Sequence, residues 1–167
     1  MAILKILQYP DERLHKVATR VNEVTESTRK FIKDLAETMY AAPGIGLAAT
    51  QVDVHQHIIV VDTSESNNNL MVFINPEIIS MEGESGFEEG CLSVPGIYEK
   101  IRRAERIKVK AQNAKGENFI LDAEGLLAVC IQHEMDHLLG KVFVEYLSQL
   151  KQTRIRAKLK KRLRETM

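Results

Sequence analysis

Residues 25–42 carry apolar side chains one turn apart, at Phe31, Leu35, Met39 and Ala42, and this spacing predicts a helix. Thr25 stands where a helix cap belongs, and Pro43-Gly44 should stop the helix. Downstream the period changes. HIIVVD (57–62) and LMVFI (70–74) are short runs rich in β-branched residues, and in RIKVKAQ (106–112) Ile107, Val109 and Ala111 alternate with Lys108, Lys110 and Gln112. All three read as strands. Asn67-Asn68-Asn69, Gly83 to Gly86 and Lys115-Gly116 supply the turn signals between them. A second helix is predicted from about Ala123, with Asp122 as N-cap and Gly140 as C-cap, and a third, basic helix over 149–165. With no internal repeat and no low-complexity linker, residues 1–167 are expected to form one domain.

At 44% apolar residues a chain of 167 can bury roughly two-thirds of its unfolded surface, which suits one globular unit. No run of about 18 uncharged apolar residues exists, and the opening MAILKILQYPDERLHK has neither a long apolar core nor a small-residue cleavage site. Two cysteines, Cys91 and Cys130, are too few for a disulfide framework. A soluble, cytoplasmic, monomeric protein with no membrane partner is expected. The net charge of zero conceals a division: eight cations against Glu165 occupy residues 151–167, leaving 15 cations and 22 acids elsewhere. An acidic body thus carries a basic tail, in which Leu150, Ile155, Leu159 and Leu163 form a sparse apolar line. Such segregation points to an anionic partner.

The second helix contains His133-Glu134-Met135-Asp136-His137. The i, i+4 spacing sets both imidazoles on one face, about 6 Å apart, able to converge on one metal with an acid beside them. The competing reading is an amphipathic helix with two polar positions and a solvated glutamate. A catalytic centre of this type usually takes three protein ligands and leaves one position for water. Metzincin proteases place their third histidine six residues after the second, where this chain has Phe143. Glu145 is followed by no acid other than Glu165, so the third ligand should lie upstream. Cys130 shares the helical face at i−3 but sits several rises of about 1.5 Å from the level of the metal, and reads as a buried core thiol among Leu127, Val129 and Ile131. Cys91 remains, in the segment Glu88 to Gly96, which reads as a shaped loop more than a regular strand.

Three segments, Gly44-Ile45-Gly46-Leu47-Ala48-Ala49-Thr50-Gln51, Glu89-Gly90-Cys91-Leu92-Ser93 and Gln132-His133-Glu134-Met135-Asp136-His137, resemble in order and spacing the three signature motifs of peptide deformylases. The likeness runs from LKILQYPDERL into the tail. It implies an α+β fold, with antiparallel or mixed sheets around the HExxH helix, and a hydrolase that removes the N-formyl group from the starting methionine of nascent polypeptides. It further implies that Cys91, His133 and His137 hold a divalent metal, ferrous iron in the family, with zinc, nickel or cobalt as alternatives of similar ligand preference. Glu134 would be the general base, and the Gln51 amide with the Leu92 backbone N–H the oxyanion donors. Ile45, Gly46, Gly90 and Val129 would line the substrate pocket beside Leu92 and His133. Around the motifs this chain has Ala42-Pro43 where some members carry acids, and Tyr98 where some carry arginine. The family resemblance also gives the basic tail an expected partner, the ribosome, and makes it dispensable for hydrolysis of a short peptide. Two other classes share parts of this pattern: an HExxH peptidase, and a non-catalytic ribosome-associated module with a structural metal.

Overall fold

The computed structural model describes residues 3–166, with the side chains of residues 163, 165 and 166 outside the description. Leu163, the last member of the expected apolar line in the tail, therefore falls outside the described residues. Helix α1 spans Glu26–Ala41, and Thr25 caps it in a reciprocal box with Thr28, each side chain bonded to the other's backbone N–H. Its buried face is Ile32, Leu35, Ala36 and Met39; Phe31 and Ala42 are half-buried, so the predicted stripe is rotated slightly.

Strands β1 (Gly46–Ala48), β2 (Ile58–Val61), β3 (Met71–Glu82), β6 (Arg106–Gln112) and β7 (Asn118–Glu124) form an antiparallel sheet in the order β1-β2-β3-β6-β7. The unbroken apolar run of β2 has a physical reason. Ile58 and Val60 pack with Leu35 and Met39 of α1, while Ile59 and Val61 pack with Ala128 and Ile131 of helix α2 (Gly125–Leu138) on the opposite face. In β6 the alternation holds: Ile107, Val109 and Ala111 face α2, while Lys108 and Lys110 are exposed.

Three sequence expectations are corrected. The strand predicted to end at Ile74 continues to Glu82, because Pro76 sits at a register shift in the β3–β6 ladder, where its missing N–H costs no regular bond. The Cys91 segment is a hairpin rather than a loop: β4 (Glu88–Cys91) pairs with β5 (Val94–Lys100), and Leu92-Ser93 make the turn. Helix α2 starts at Gly125, whose φ of 62° marks the break from β7. Asp122 is thus no cap but a strand residue opposite Lys108.

Helix α3 spans Gln149–Thr166. Ile155 and Leu159 are buried with Leu7, Tyr9, Val94, Ile97 and Phe143, whereas Leu150 is exposed. The tail is thereby part of the hydrophobic structure, and removing it would uncover a core. No helix among the described residues is long and apolar enough to cross a membrane.

Gly140 follows the α2 C-cap at φ 78°, and a Cβ there would stand 2.4 Å from the carbonyl oxygen of His15. Gly140→Ala is expected to cost on the order of 1–3 kcal/mol, combining a left-handed backbone with a backbone collision. Urea unfolding measures it. A midpoint equal to that of the parent would show that the 15–140 contact yields freely.

Candidate metal centre

Helix α2 carries His133 and His137 one turn apart, and their ring centroids are 5.0 Å from each other, with the two Nε2 atoms separated by 3.3 Å. The third donor comes from the hairpin. Cys91 occupies the last position of β4, where a register irregularity after Glu89 alters the direction of the strand, and its Sγ lies 3.4 Å from His137 Nε2. All three donor atoms lie within 4.8 Å of one another, and no other such group of His, Cys, Asp and Glu occurs among the described residues.

The chemistry of the set fits a metal of intermediate softness, with two imidazoles and one thiol. His133 Nδ1 is bonded to Glu89 Oε1 at 2.9 Å, which fixes the tautomer and leaves Nε2 with its lone pair toward Cys91 and His137. His137 Nδ1 has no hydrogen-bond partner among the described residues.

Glu89 is buried and is gripped from its other side by Arg103, whose Nε and Nη2 reach both carboxylate oxygens at 2.8 and 2.9 Å. Burial alone would raise the Glu89 pKa, but the Arg103 fork and the His133 N–H hold it below the ordinary glutamate value. Arg103 extends the chain outward. Its Nη1 bonds Asp136 Oδ2, which also accepts the Tyr146 hydroxyl at 2.8 Å.

Glu134 lies on α2 beside the two histidines, 5% exposed, and Oε1 has no hydrogen-bond partner among the described residues. Burial pushes its carboxyl up to about 7, with the nearby His133 opposing and Glu89 adding to the rise. A carboxyl tuned near neutrality can both take and return a proton. Gly46 makes room for it: a Cβ there would meet Glu134 Oε2 at 2.6 Å and Cys130 Sγ at 2.8 Å.

Gln51 is not a surface glutamine. It is 1% exposed within a 3₁₀ turn (Ala49–Val52), its Oε1 accepts from the Ala48 N–H at 2.9 Å, and its Nε2 donates to Ser93 Oγ at 3.0 Å. The same Nε2 lies 3.6 Å from Cys91 Sγ, so a fixed amide dipole stands beside the third donor.

A cleft of about 600 Å³ opens onto this arrangement, and Ile45, Gly46, Gly90, Cys91, Leu92, Val129, His133 and Glu134 all line it. Ile45, Gly46, Gly90, Leu92, Val129 and Glu134, all expected to meet substrate, are thus brought to one space, whereas Gln51, the expected oxyanion donor, is buried behind the cleft lining together with His137. Gly90 is fitted against Tyr98, whose Cε1 would be 2.6 Å from an added Cβ. Cys130 stays outside the ligand group. Its thiol is buried in the core with Leu127 and Ile131, as expected, with its pKa raised by that burial and then by Glu134, and it also borders the cleft beside Gly46. Phe143, at the metzincin ligand position, packs its ring 5.9 Å from that of His133.

Sequence reasoning missed the outer partners of the histidine. Glu89 was within reach, two residues before Cys91; Arg103, Asp136 and Tyr146 are brought together only by the β5–β6 connection and the turn after α2.

Similarity to known proteins extends over nearly the whole chain. The family model for polypeptide deformylase matches residues 3–153. Peptide deformylase 1 of Burkholderia multivorans is 66% identical over 96% of this chain and 90% of its own length. The peptide deformylase of Neisseria meningitidis serogroup B is 62% identical over the full length of both chains. Among solved structures, a peptide deformylase from Legionella pneumophila superposes with a TM-score of 0.95 at 49% identity, covering 99% of this chain and 98% of that one. One from Ehrlichia chaffeensis gives 0.91 at 40% identity, covering 96% and 97%. The chain belongs to the polypeptide deformylase family.

Proposed function

We propose that Cys91, His133 and His137 hold one divalent metal, and that Glu134 handles the proton, in the hydrolysis that defines this family: removal of the N-formyl group from the starting methionine of nascent polypeptides, with release of formate. The observation that carries the assignment is the convergence of one sulfur and two nitrogen donors within 4.8 Å at the edge of a cleft. When bound, a divalent ion supplies Lewis acidity that polarises a carbonyl and lowers the pKa of a water from 15.7 toward about 7.

The chain's own residues do the rest. Glu134 takes the proton of the attacking water and returns it to the departing amine, a role suited to a buried carboxyl at the cleft wall whose Oε1 has no hydrogen-bond partner among the described residues. Gln51, clamped through Ala48 and Ser93 behind the cleft, is the amide we assign to the formyl oxygen as it gains charge, its Nε2 turning from Ser93 when substrate is bound, together with the Leu92 N–H; such a donor is worth about 3 kcal/mol. Gly46 and Gly90 let a substrate backbone approach the cleft walls, and Ile45, Leu92 and Val129 offer apolar surface for the methionine side chain. We assign the choice of formyl over acetyl to size, formyl being the smallest acyl group.

Ferrous iron is the metal we assign, within a single catalytic domain of residues 1–167 acting as a cytoplasmic monomer. An iron-thiolate beside an open position is open to oxidation, so activity lost in air and kept under anaerobic handling fits iron, whereas zinc would be indifferent. Helix α3 is assigned to docking on the polyanionic ribosome. Its packing through Ile155 and Leu159 leaves Arg154, Lys158 and Lys161, at i, i+4 and i+7, exposed on one side.

Glu134→Ala is expected to keep the metal and to lose at least a hundredfold in release of formate from formyl-Met-Ala-Ser, since a general base contributes about 10² to 10⁴. Metal analysis beside kinetics checks it, and retention of a tenth of the parent rate would remove Glu134 from proton transfer.

Cys91→Ser should lower metal content after dialysis, while Cys130→Ser should retain metal and lower stability through burial of a hydroxyl by about 1–3 kcal/mol. The reverse pattern would exchange the roles of the two thiols.

Because truncation would expose the core around Ile155, the docking role is tested by Arg154→Gln, Lys158→Gln and Lys161→Gln together. Hydrolysis of the short peptide should be unchanged, and cosedimentation with ribosomes should weaken and lose part of its salt dependence. Equal sedimentation of parent and variant at two salt concentrations would return α3 to a purely structural part.

A further inference from the structure

A continuous run of polar contacts leads from the candidate metal centre to the protein surface. His133 Nδ1 bonds Glu89; Glu89 is bonded through both oxygens to Arg103; Arg103 bonds Asp136; and Asp136 accepts from Tyr146. Tyr146 touches this run twice, because its ring also lies under the guanidinium, 5.2 Å from the Arg103 Cζ to the ring centroid. The side chains of Glu89 and Arg103 are each 5% exposed and that of Asp136 16%, whereas Tyr146 is half open to solvent.

The space around the run matters as much as the contacts. A second cavity of about 600 Å³ lies on the other side of α2 from the catalytic cleft, and Arg103, Asp136 and Tyr146 belong to its wall. The guanidinium therefore has room to leave Glu89 and move into water. What opposes that movement is Asp136, which fixes one nitrogen, and the Tyr146 ring and hydroxyl, which cover the exit. Were Arg103 to move, Glu89 would lose the two hydrogen bonds that hold its carboxylate in place, and the imidazole it orients would be free to rotate.

The same short turn reaches His133 by a second route. Phe143 and Tyr146 begin and end a 3₁₀ turn, in which side chains three apart lie on one side; Phe143 packs on the His133 ring, and Tyr146 on Arg103. We infer that Tyr146 is a positioning residue for the metal centre, acting through Asp136, Arg103 and Glu89 to hold His133 in the tautomer and orientation that coordinate. The inference rests on the reading that Cys91, His133 and His137 bind a metal.

The test uses the full-length protein stripped of metal and titrated with cobalt(II) chloride, with binding followed by the visible bands of the cobalt complex. Tyr146→Phe keeps the ring on Arg103 and removes only the hydroxyl; it is expected to weaken cobalt binding about tenfold, the lower end of the range for groups behind a ligand. Tyr146→Ala and Asp136→Asn should weaken it further. The cobalt bands should shift with each substitution, and in the reconstituted enzyme kcat should fall while KM holds. Thermal unfolding of the same samples separates the alternative of a purely structural residue. A lower melting temperature with cobalt affinity and bands equal to the parent, for Tyr146→Phe or, should that variant not fold, for Asp136→Asn, overturns the inference. Failure of the parent itself to bind cobalt overturns the metal assignment and this inference with it.

Discussion

Placing His133, Glu134 and His137 on a helix that also packs against the central sheet forces a demand on the rest of the chain: each polar group taken from water must be given a partner or a purpose. An unpaired amide or hydroxyl in such a place costs a few kcal/mol, and a charge costs more. The hydrogen bond from His133 to Glu89 is the first answer to that demand, and much else follows from it. A buried glutamate needs a cation, hence Arg103; an arginine with a free nitrogen needs a further acceptor, hence Asp136. The three candidate ligand atoms are left facing one another, and of the four buried polar atoms without a hydrogen-bond partner among the described residues two, Glu134 Oε1 and His137 Nδ1, lie at this centre.

The sheet explains why the helix can be buried so deeply. Strand β2 gives one face to α1 and the other to α2, so the apolar residues of α2 find partners on its sheet side while its histidines turn toward the β4–β5 hairpin. The hairpin itself has little hydrophobic alternation, because its positions are chosen for the site: Glu89 for the histidine, Gly90 for Tyr98, Cys91 for the donor set. That is why its residues read as an irregular loop from sequence. A strand stabilised by specific polar contacts does not show the period of a strand stabilised by burial.

Where burial alone decided structure, the sequence was readable. The runs 57–62 and 106–112, the capped start of α1 and the stop at Pro43 all follow from periodicity or turn chemistry. β7 was not readable, since Phe119 and Leu121 are only partly buried and its neighbour Glu124 passes directly into Gly125; a propensity argument runs the following helix back into it. The HExxH spacing announced two donors and an acid on one face, because four residues of helix fix the distance between side chains. Gln51 was legible only through the family likeness, and Cys91, left over by elimination, became a ligand only through it. Their meeting depends on a 3₁₀ turn and a hairpin separated by 40 residues, and no local pattern encodes such a distance.

The basic helix shows how one element can serve two demands. Its cations point to an anionic partner, and the apolar line among them packs inward, where Ile155 and Leu159 close the same core that contains Phe143 and Val94. Phe143 in turn packs on His133, and Val94 pairs with Cys91 across the hairpin. The apolar side of α3 therefore supports the elements that deliver two of the three donors, while its charged side remains in solvent. Loss of packing along this helix would loosen the site from behind before any effect of charge could be felt. Charge on α3 is consequently separable from fold only by substitutions that spare its buried residues, which among the described side chains are Gln152, Ile155 and Leu159.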